Sequence, residues 1–149
     1  MYKRILVPLD GSALAEAALP HAATLASRFD AEVILLRVVV SPYAIVAPDL
    51  VLAGYDPDLQ ALTNEATQYL GRKSQGLAEQ GIRLKEVLCE GPVAEAILDH
   101  AVSLDVDLIV MSTHGRGGVL RWVYGSVADR VLQGATCPVL LIRVRETQE

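Results

Sequence analysis

The sequence predicts one α/β domain of three layers, α/β/α, with a five-stranded parallel sheet in the middle. Short runs rich in Val, Ile and Leu alternate along the chain with segments whose apolar residues recur at helical spacing. A chain of 149 residues, 52% of them hydrophobic, suffices for one core and fits one domain, 1–149. Alternation of strands and helices favours a parallel sheet with right-handed crossovers.

Four of the five predicted strands have the composition of strands buried on both faces. They are Arg4–Leu9, Glu32–Val40, Asp107–Ser112 and Val139–Val144. The fifth, Ile82–Cys89, alternates apolar with charged residues, which is typical of an edge strand.

Four helices are predicted between these strands: Ala13–Arg28, Asp58–Gln80, one that opens at Gly91-Pro92 and one that begins at Ser126. Ser12 is the expected N-cap of the first helix. Pro20 lies inside that helix and is expected to kink it, because proline lacks the backbone donor that a helix interior needs.

Residues 41–57, SPYAIVAPDLVLAGYDP, fit neither a regular helix nor a strand, because three prolines interrupt an apolar stretch. Long connections of this kind are often functional. Two interpretations stay open: the segment is a lid or a partner contact, or it is a connection that simply runs over the surface.

Composition argues against several classes of function. A net charge of −5 without a basic stripe argues against nucleic acid as a partner. The longest apolar runs, such as Val33–Val40 with Arg37 inside it, are too short to span a membrane.

Cys89 and Cys137 lack metal-ligand spacing, so we expect neither zinc nor a disulfide. The start, MYKRILVPLDGS, lacks the pattern of a signal peptide, so we expect a cytoplasmic protein.

The candidate binding site follows from the sheet. Ligands of open parallel sheets bind outside the carboxyl ends of the strands, where the strand order reverses. If the order is 3-2-1-4-5, the loops PLDGS (8–12) and STHGRGGVLRWVYGS (112–126) face each other there. The second loop offers glycines, which permit close backbone approach, and two arginines: Gly115, Gly117, Gly118, Arg116 and Arg121. It also opens a helix at Gly125-Ser126, and helix starts present unpaired amides to an anion. Neither GxGxxG nor GxxxxGK[ST] occurs.

Each polar residue of these loops also has a structural explanation. Ser126 and Asp129 fit a capping box, which can coexist with anion binding because the first turn has several free amides, although the Asp129 carboxylate would oppose a nearby phosphate unless a cation intervenes. Asp10 fits a turn carboxylate that bonds the amides of Gly11 and Ser12. His114 is either a donor to a phosphate or a loop residue.

The aromatic residues of the second loop have two interpretations as well. Trp122 and Tyr124 either cover the core beneath the loop or stack on a base, and the first interpretation is the more frequent one in proteins.

Over nearly its full length the chain resembles the universal stress protein family, through YKRILVPLDGS, VILLRV and MSTHGRGG…YGSVADRVLQGATCPVLLIR. The ATP-binding branch of that family has a glycine, two residues, a glycine, nine residues and then Gly-Ser or Gly-Thr. Gly115 and Gly125-Ser126 fit, whereas Ser112 replaces the first glycine. Serine adopts positive φ only at a cost, so this departure bears on binding. The resemblance implies a Rossmann-like, adenine nucleotide alpha hydrolase-like fold.

The resemblance also implies the binding residues. Asp10, Pro8 and Leu9 would meet the nucleoside, Val38 would line the adenine pocket, and the second loop would hold ribose and phosphates. The expected set is Pro8, Leu9, Asp10, Val38, Met111, Ser112, His114, Gly115, Arg116, Gly118, Gly125, Ser126 and Val127. The cofactor would be ATP or AMP with Mg²⁺ or Mn²⁺, and no side chain is assigned as a metal ligand.

The family resemblance implies a homodimer through the last strand, Val139–Val144. Independently, PVLLIRV would be an apolar edge in the order 3-2-1-4-5, the kind of strand that pairs with another chain. The same order places Cys89 and Cys137 at opposite rims of the sheet.

Three functions compete at this stage. The leading one is a stress-response protein that binds ATP or AMP, acts as a regulatory dimer and is not an enzyme. The second is a slow nucleotide hydrolase or adenylyl-transferring enzyme, for which Asp10 and His114 are the only nearby candidates. The third is a protein-interaction module that binds no nucleotide, motivated by Ser112.

Overall fold

The computed structural model describes residues 1–114 and 125–145. In these ranges five strands and seven helices follow one another: β1 (Arg4–Leu9), α1 (Ala13–Glu16), α2 (Leu19–Phe29), β2 (Glu32–Val39), α3 (Tyr43–Val46), α4 (Pro48–Leu52), α5 (Leu59–Ala78), β3 (Arg83–Glu90), α6 (Val93–Ser103), β4 (Leu108–His114), α7 (Ser126–Gly134) and β5 (Val139–Val144).

The strands form one parallel sheet in the order β3-β2-β1-β4-β5, which confirms the predicted order. β1 pairs with β2 from Arg4↔Glu32 to Leu9↔Arg37, and β4 pairs with β5 up to His114↔Val144. All carboxyl ends therefore lie at one edge of the sheet, and the order reverses between β1 and β4. Cys89 in β3 and Cys137 before β5 lie at opposite sides of the sheet.

Alternate residues of the central strands supply two separate cores. Ile5, Val7 and Leu35 pack toward α2 and α5, whereas Leu6 and Ile34 pack toward α6 and α7. Because successive side chains of a strand point to opposite faces, helices cover both sides of the sheet. The three-layer architecture is confirmed.

Replacing a central core residue is expected to be costly. Leu35→Ala is expected to lower the free energy of unfolding by about 3 kcal/mol, because Leu35 is fully buried in β2 and the lost side chain leaves a cavity. Urea unfolding measures the change. The control is Val102→Ala, at a position that is 63% exposed and is expected to change stability by at most about 0.5 kcal/mol. A loss below about 1 kcal/mol at Leu35 would contradict the described packing.

The single kinked helix predicted over Ala13–Arg28 is wrong: two helices, α1 and α2, occupy this segment. The chain breaks before Pro20, which thereby lies in the first turn of α2, where its missing N–H is not needed. Ser12 is the N-cap of α1, as expected, and accepts a hydrogen bond from Ala15 N at 3.1 Å.

The long connection after β2 contains the short helices α3 and α4, which the sequence did not predict. Pro42 is the N-cap of α3 and Pro48 lies in the first turn of α4, so both prolines start helices rather than prevent them. Ile45, Val46 and Leu52 are more than four-fifths exposed, so these helices add little to the core.

Asp107 joins the beginnings of β1 and β4. Its Oδ2 accepts hydrogen bonds from Lys3 N at 2.8 Å and Arg4 N at 2.9 Å. Desolvation opposes ionisation, but these two bonds and the positive charges of Arg4 and Lys3 outweigh it and lower the pKa of Asp107 below 3.8. The charged form is therefore favoured in the folded protein.

A carboxyl with a lowered pKa stabilises the fold above its unfolded pKa, and the contribution is lost as pH falls through the folded pKa. We expect Asp107→Asn to reduce stability at pH 7, and the difference from wild type to shrink below about pH 4. Urea unfolding at a series of pH values tests this. A difference that stays constant between neutral pH and pH 2 would contradict it.

Candidate functional site

A cleft of about 320 Å³ opens at the carboxyl ends of β1 and β4, where the strand order reverses. We call it the β1–β4 cleft. Its lining residues are Pro8, Leu9, Asp10, Leu14, Ala15, Leu36, Val38, Val93, Ile97, Met111, Ser112, Thr113, Gly125, Ser126, Val127 and Ala128. The two loops that the sequence singled out thus contribute to one concave site, the location at which parallel sheets bind ligands.

The structure brings together every predicted binding residue whose side chain it describes: Pro8, Leu9, Asp10, Val38, Met111, Ser112, Gly125, Ser126 and Val127. Gly115, Arg116, Gly118, Trp122 and Tyr124 lie outside the described residues, as does the side chain of His114. That these residues bind a ligand stays a prediction.

Sequence reasoning missed the wall that α6 contributes through Val93 and Ile97. No motif marks these residues, and their helical spacing indicated only core packing. It also missed Thr113, which is 3% exposed and accepts a hydrogen bond from Gly125 N at 3.4 Å. Alternation along β4 was an available signal, because Met111 and Thr113 share one face of the strand.

The Asp10–Ser12 turn forms one rim of the cleft. Asp10 Oδ1 accepts a hydrogen bond from Ser12 N at 2.9 Å and another from the Ser12 hydroxyl. The predicted turn carboxylate is therefore present, although the bonds come from Ser12 alone and not from Gly11. Gly11 has φ +89°, a conformation that favours glycine. Asp10 is exposed and lines the cleft, so its structural role leaves the carboxylate accessible to a ligand.

The start of α7 forms the facing rim. Gly125 is the N-cap and Ser126 the first helical residue, and no side chain caps the helix. The predicted capping box of Ser126 and Asp129 is therefore wrong: Asp129 instead accepts a hydrogen bond from Gln133 at 3.1 Å. Amides of a first helical turn without a capping acceptor are suited to bind an anion.

Ser112 occupies its position without backbone strain. It belongs to β4, pairs with Ile142 of β5, and is not among the residues with positive φ. Its hydroxyl donates to the carbonyl oxygen of Ala15 at 3.4 Å and so joins β4 to α1. The expected conformational cost of serine in place of glycine does not arise here.

The charges of the β1–β4 cleft are asymmetric. Among the lining residues that the structure describes, Asp10 alone carries an ionisable side chain, while the amide end of the α7 dipole lies at the other rim. Leu36, Val38 and Met111 supply an apolar floor. A ligand with a flat apolar part, hydroxyl donors and an anionic end matches this distribution.

A larger and more open cavity, about 650 Å³, lies between α2 and α5. It is lined by Arg28, Arg72 and Lys73 among others, and it shares no described lining residue with the β1–β4 cleft. We take the smaller cleft as the candidate site because an apolar floor, a carboxylate and a helix start without a side-chain cap converge there. Within 1–114 and 125–145 no cluster of three or more His, Cys, Asp or Glu is placed to hold a metal ion.

None of the helices in the described parts of the chain has the length and apolar character needed to cross a membrane.

Comparison with known proteins identifies relatives of the chain. Universal stress protein MJ0531 of Methanocaldococcus jannaschii is 38% identical over 145 residues, covering 96% of this chain and 83% of the relative. The solved structure of protein MJ0577, from the same organism, has a TM-score of 0.80 at 30% identity and covers 99% of both chains. Universal stress protein UspA of Lactobacillus plantarum has a TM-score of 0.78 at 32% identity, over 95% of this chain and 98% of its own.

More distant structures share the fold. A universal stress protein in complex with cAMP has a TM-score of 0.66 at 20% identity, over 95% of this chain and 97% of its own. One from Archaeoglobus fulgidus in complex with dAMP has a TM-score of 0.67 at 24% identity, over 95% of this chain and 98% of its own. The universal stress protein family pattern itself matches residues 1–143. The chain belongs to the universal stress protein family.

Proposed function

We propose that the protein binds an adenine nucleotide, ATP or AMP, in the β1–β4 cleft. The observation that carries this proposal is the convergence of an apolar floor, the Asp10 carboxylate and the uncapped start of α7 on one cleft of about 320 Å³. The residues present fit the three parts of such a ligand, since base, ribose and phosphate require an apolar surface, a polar acceptor and unpaired amides.

In this proposal the adenine lies against Val38 and Met111, and ribose hydroxyls donate to Asp10. The amides of Ser126 and Val127, in the first turn of α7, receive the phosphates, while the Gly125 amide is bonded to Thr113. By the family resemblance, His114, Gly115, Arg116 and Gly118 complete the phosphate site. Fold neighbours in complex with cAMP and dAMP agree with an adenine nucleotide as the ligand class.

A divalent cation, Mg²⁺ or Mn²⁺, is proposed to accompany ATP. The described residues offer no acidic cluster, so the phosphate oxygens and water would supply most of its ligands. The cation would offset repulsion between the phosphates and the exposed carboxylate of Asp129 in the first turn of α7.

The proposed role is regulatory rather than catalytic, in the cytoplasm and as a dimer. Asp10 has no described general-base partner in the cleft, so a turnover above about 1 per second would contradict this role.

The dimer would form through β5, an edge strand on which the apolar Leu140 is 37% exposed.

Isothermal titration of the purified protein with Mg-ATP, and separately with AMP, tests the proposal. We expect a saturable heat for at least one of them. The absence of saturable heat up to millimolar concentrations of both nucleotides would contradict adenine nucleotide binding and favour the interaction module. Nucleotide already bound is removed first by unfolding and refolding, and mass spectrometry of the released small molecules identifies it.

A further inference from the structure

Arg37 is a charged residue inside the apolar strand β2, and it points away from the β1–β4 cleft. Its neighbours Leu36 and Val38 line the cleft, so the alternation of the strand directs Arg37 to the opposite face of the sheet. Its side chain is only 15% exposed. An arginine that served solubility alone would keep its head group in water.

The guanidinium is held from the side of α5. Arg37 Nη2 donates to Glu65 Oε2 at 3.2 Å, and the guanidinium carbon lies 5.0 Å from the centre of the Tyr69 ring. Both contacts fix the direction of the planar group. Lys73, also on α5, forms an ion pair with Glu16 at the end of α1.

The other edge of the guanidinium packs against the Asp10–Ser12 turn. A Cβ atom placed on Gly11 would lie 2.8 Å from Arg37 Nη1, closer than real contacts allow. Nη1 is buried, and no hydrogen-bond partner for it occurs among the described residues. The contact with the turn is therefore one of shape and position, made with the backbone directly behind Asp10.

The Tyr69 ring is the second group of α5 that holds the Arg37 guanidinium in place. Its hydroxyl is buried, and burial together with the nearby Glu16 carboxylate raises its pKa further above physiological pH, so the ring that faces Arg37 is neutral. These contacts thus join the turn and α1, which border the cleft, to α5 on the opposite face of the sheet. Ser112 ties α1 to β4.

We propose that Arg37 is a positioning residue for the nucleotide site: held by Glu65 and Tyr69, it fixes the backbone at Gly11 and so the direction in which Asp10 is presented to the ligand. This inference rests on the proposed function for its effect on affinity, but its effect on the turn is independent of any ligand.

The test compares Arg37→Met with a matched control, Arg72→Met. Arg72 lies 6.0 Å from the same Tyr69 ring and is exposed, but makes no described contact with Gly11. The first measurement is amide hydrogen exchange, without nucleotide, of a peptide that covers residues 9–16. We expect at least about tenfold faster exchange of the amides of Ser12, Ala15 and Glu16 in Arg37→Met and wild-type rates in Arg72→Met.

The second measurement is a double-mutant cycle with Gly11→Ala, read by Mg-ATP titration. Arg37→Met and Gly11→Ala are each expected to weaken binding about tenfold. The positive φ of Gly11 keeps part of the cost of alanine in both backgrounds. The loss of affinity in the double variant is expected to be smaller than the product of the two single losses, because the part that comes from the contact with Arg37 Nη1 disappears when the guanidinium is removed. Arg37→Lys is expected to restore only part of the affinity, since lysine lacks the planar fork.

Wild-type exchange in Arg37→Met would overturn the inference, and so would independent effects of the two substitutions. If the wild-type protein does not bind nucleotide, the proposed function fails while the exchange measurement still decides the role of Arg37. If Arg37→Met does not unfold cooperatively, Arg37→Lys replaces it in the exchange experiment, with faster exchange expected and wild-type exchange again contradicting the proposal.

Discussion

Val38→Trp is expected to abolish nucleotide binding while the protein stays folded. Val38 is partly exposed on β2 and lines the β1–β4 cleft, so an indole there would fill much of the cleft of about 320 Å³. We expect the affinity for ATP to fall by more than about 100-fold, measured by isothermal titration. Adenosine binding should be lost as well, because the substitution acts at the end proposed to hold the base.

The matched control is Val102→Trp, on the exposed side of α6 and outside the cleft lining. It should bind ATP like the wild-type protein. A melting temperature of Val38→Trp close to that of this control shows that the loss is local. Unchanged ATP affinity in a folded Val38→Trp variant would place the nucleotide elsewhere.

Gly125→Val is expected to remove phosphate recognition with little effect on stability. Gly125 has φ −50° and ψ 141°, which valine also adopts, and a Cβ there would have no atom of residues 1–114 or 127–145 within 4 Å. Neither the backbone angles nor the described neighbours therefore require glycine at this position. A branched side chain at the start of α7 would instead obstruct the approach of a phosphate to the first-turn amides.

We expect Gly125→Val to lower the affinity for ATP by at least about 30-fold and the affinity for adenosine by less than about threefold. Val38→Trp, in contrast, should lower both affinities. Gly71→Val is the control, because Gly71 also has open space around it but lies on the exposed side of α5. Equal losses for ATP and adenosine would contradict a phosphate position at the start of α7.

The sheet could be predicted from the sequence because its signals are local and strong. The bounds of β1 and β5 coincide with the predicted ones, since continuous Val, Ile and Leu runs end at polar or turn residues. β4 extends two residues beyond its prediction, to His114, because Thr113 is buried although polar. The order 3-2-1-4-5 then places the two polar loops together.

Local alternatives of similar energy explain the errors. A proline inside a helical pattern is accommodated either by a kink or by a break, and the local sequence does not distinguish the two; the structure has the break, before Pro20. Ser126 had a capping partner in sequence, but Gly125 took the N-cap position and Asp129 paired with Gln133. The sequence showed that Arg37 was unusual inside an apolar run, but not that Glu65 and Tyr69 of a distant helix would hold it.

The most direct test of the central claim is an NMR titration of the ¹⁵N-labelled, nucleotide-free protein with Mg-ATP. The account predicts saturable chemical-shift changes of the amides of Leu9, Asp10, Ser112 and Thr113 and of residues 125–128. The amides along the cavity between α2 and α5 should keep their chemical shifts. Saturable changes confined to that cavity, or no changes at millimolar ATP, would contradict the account.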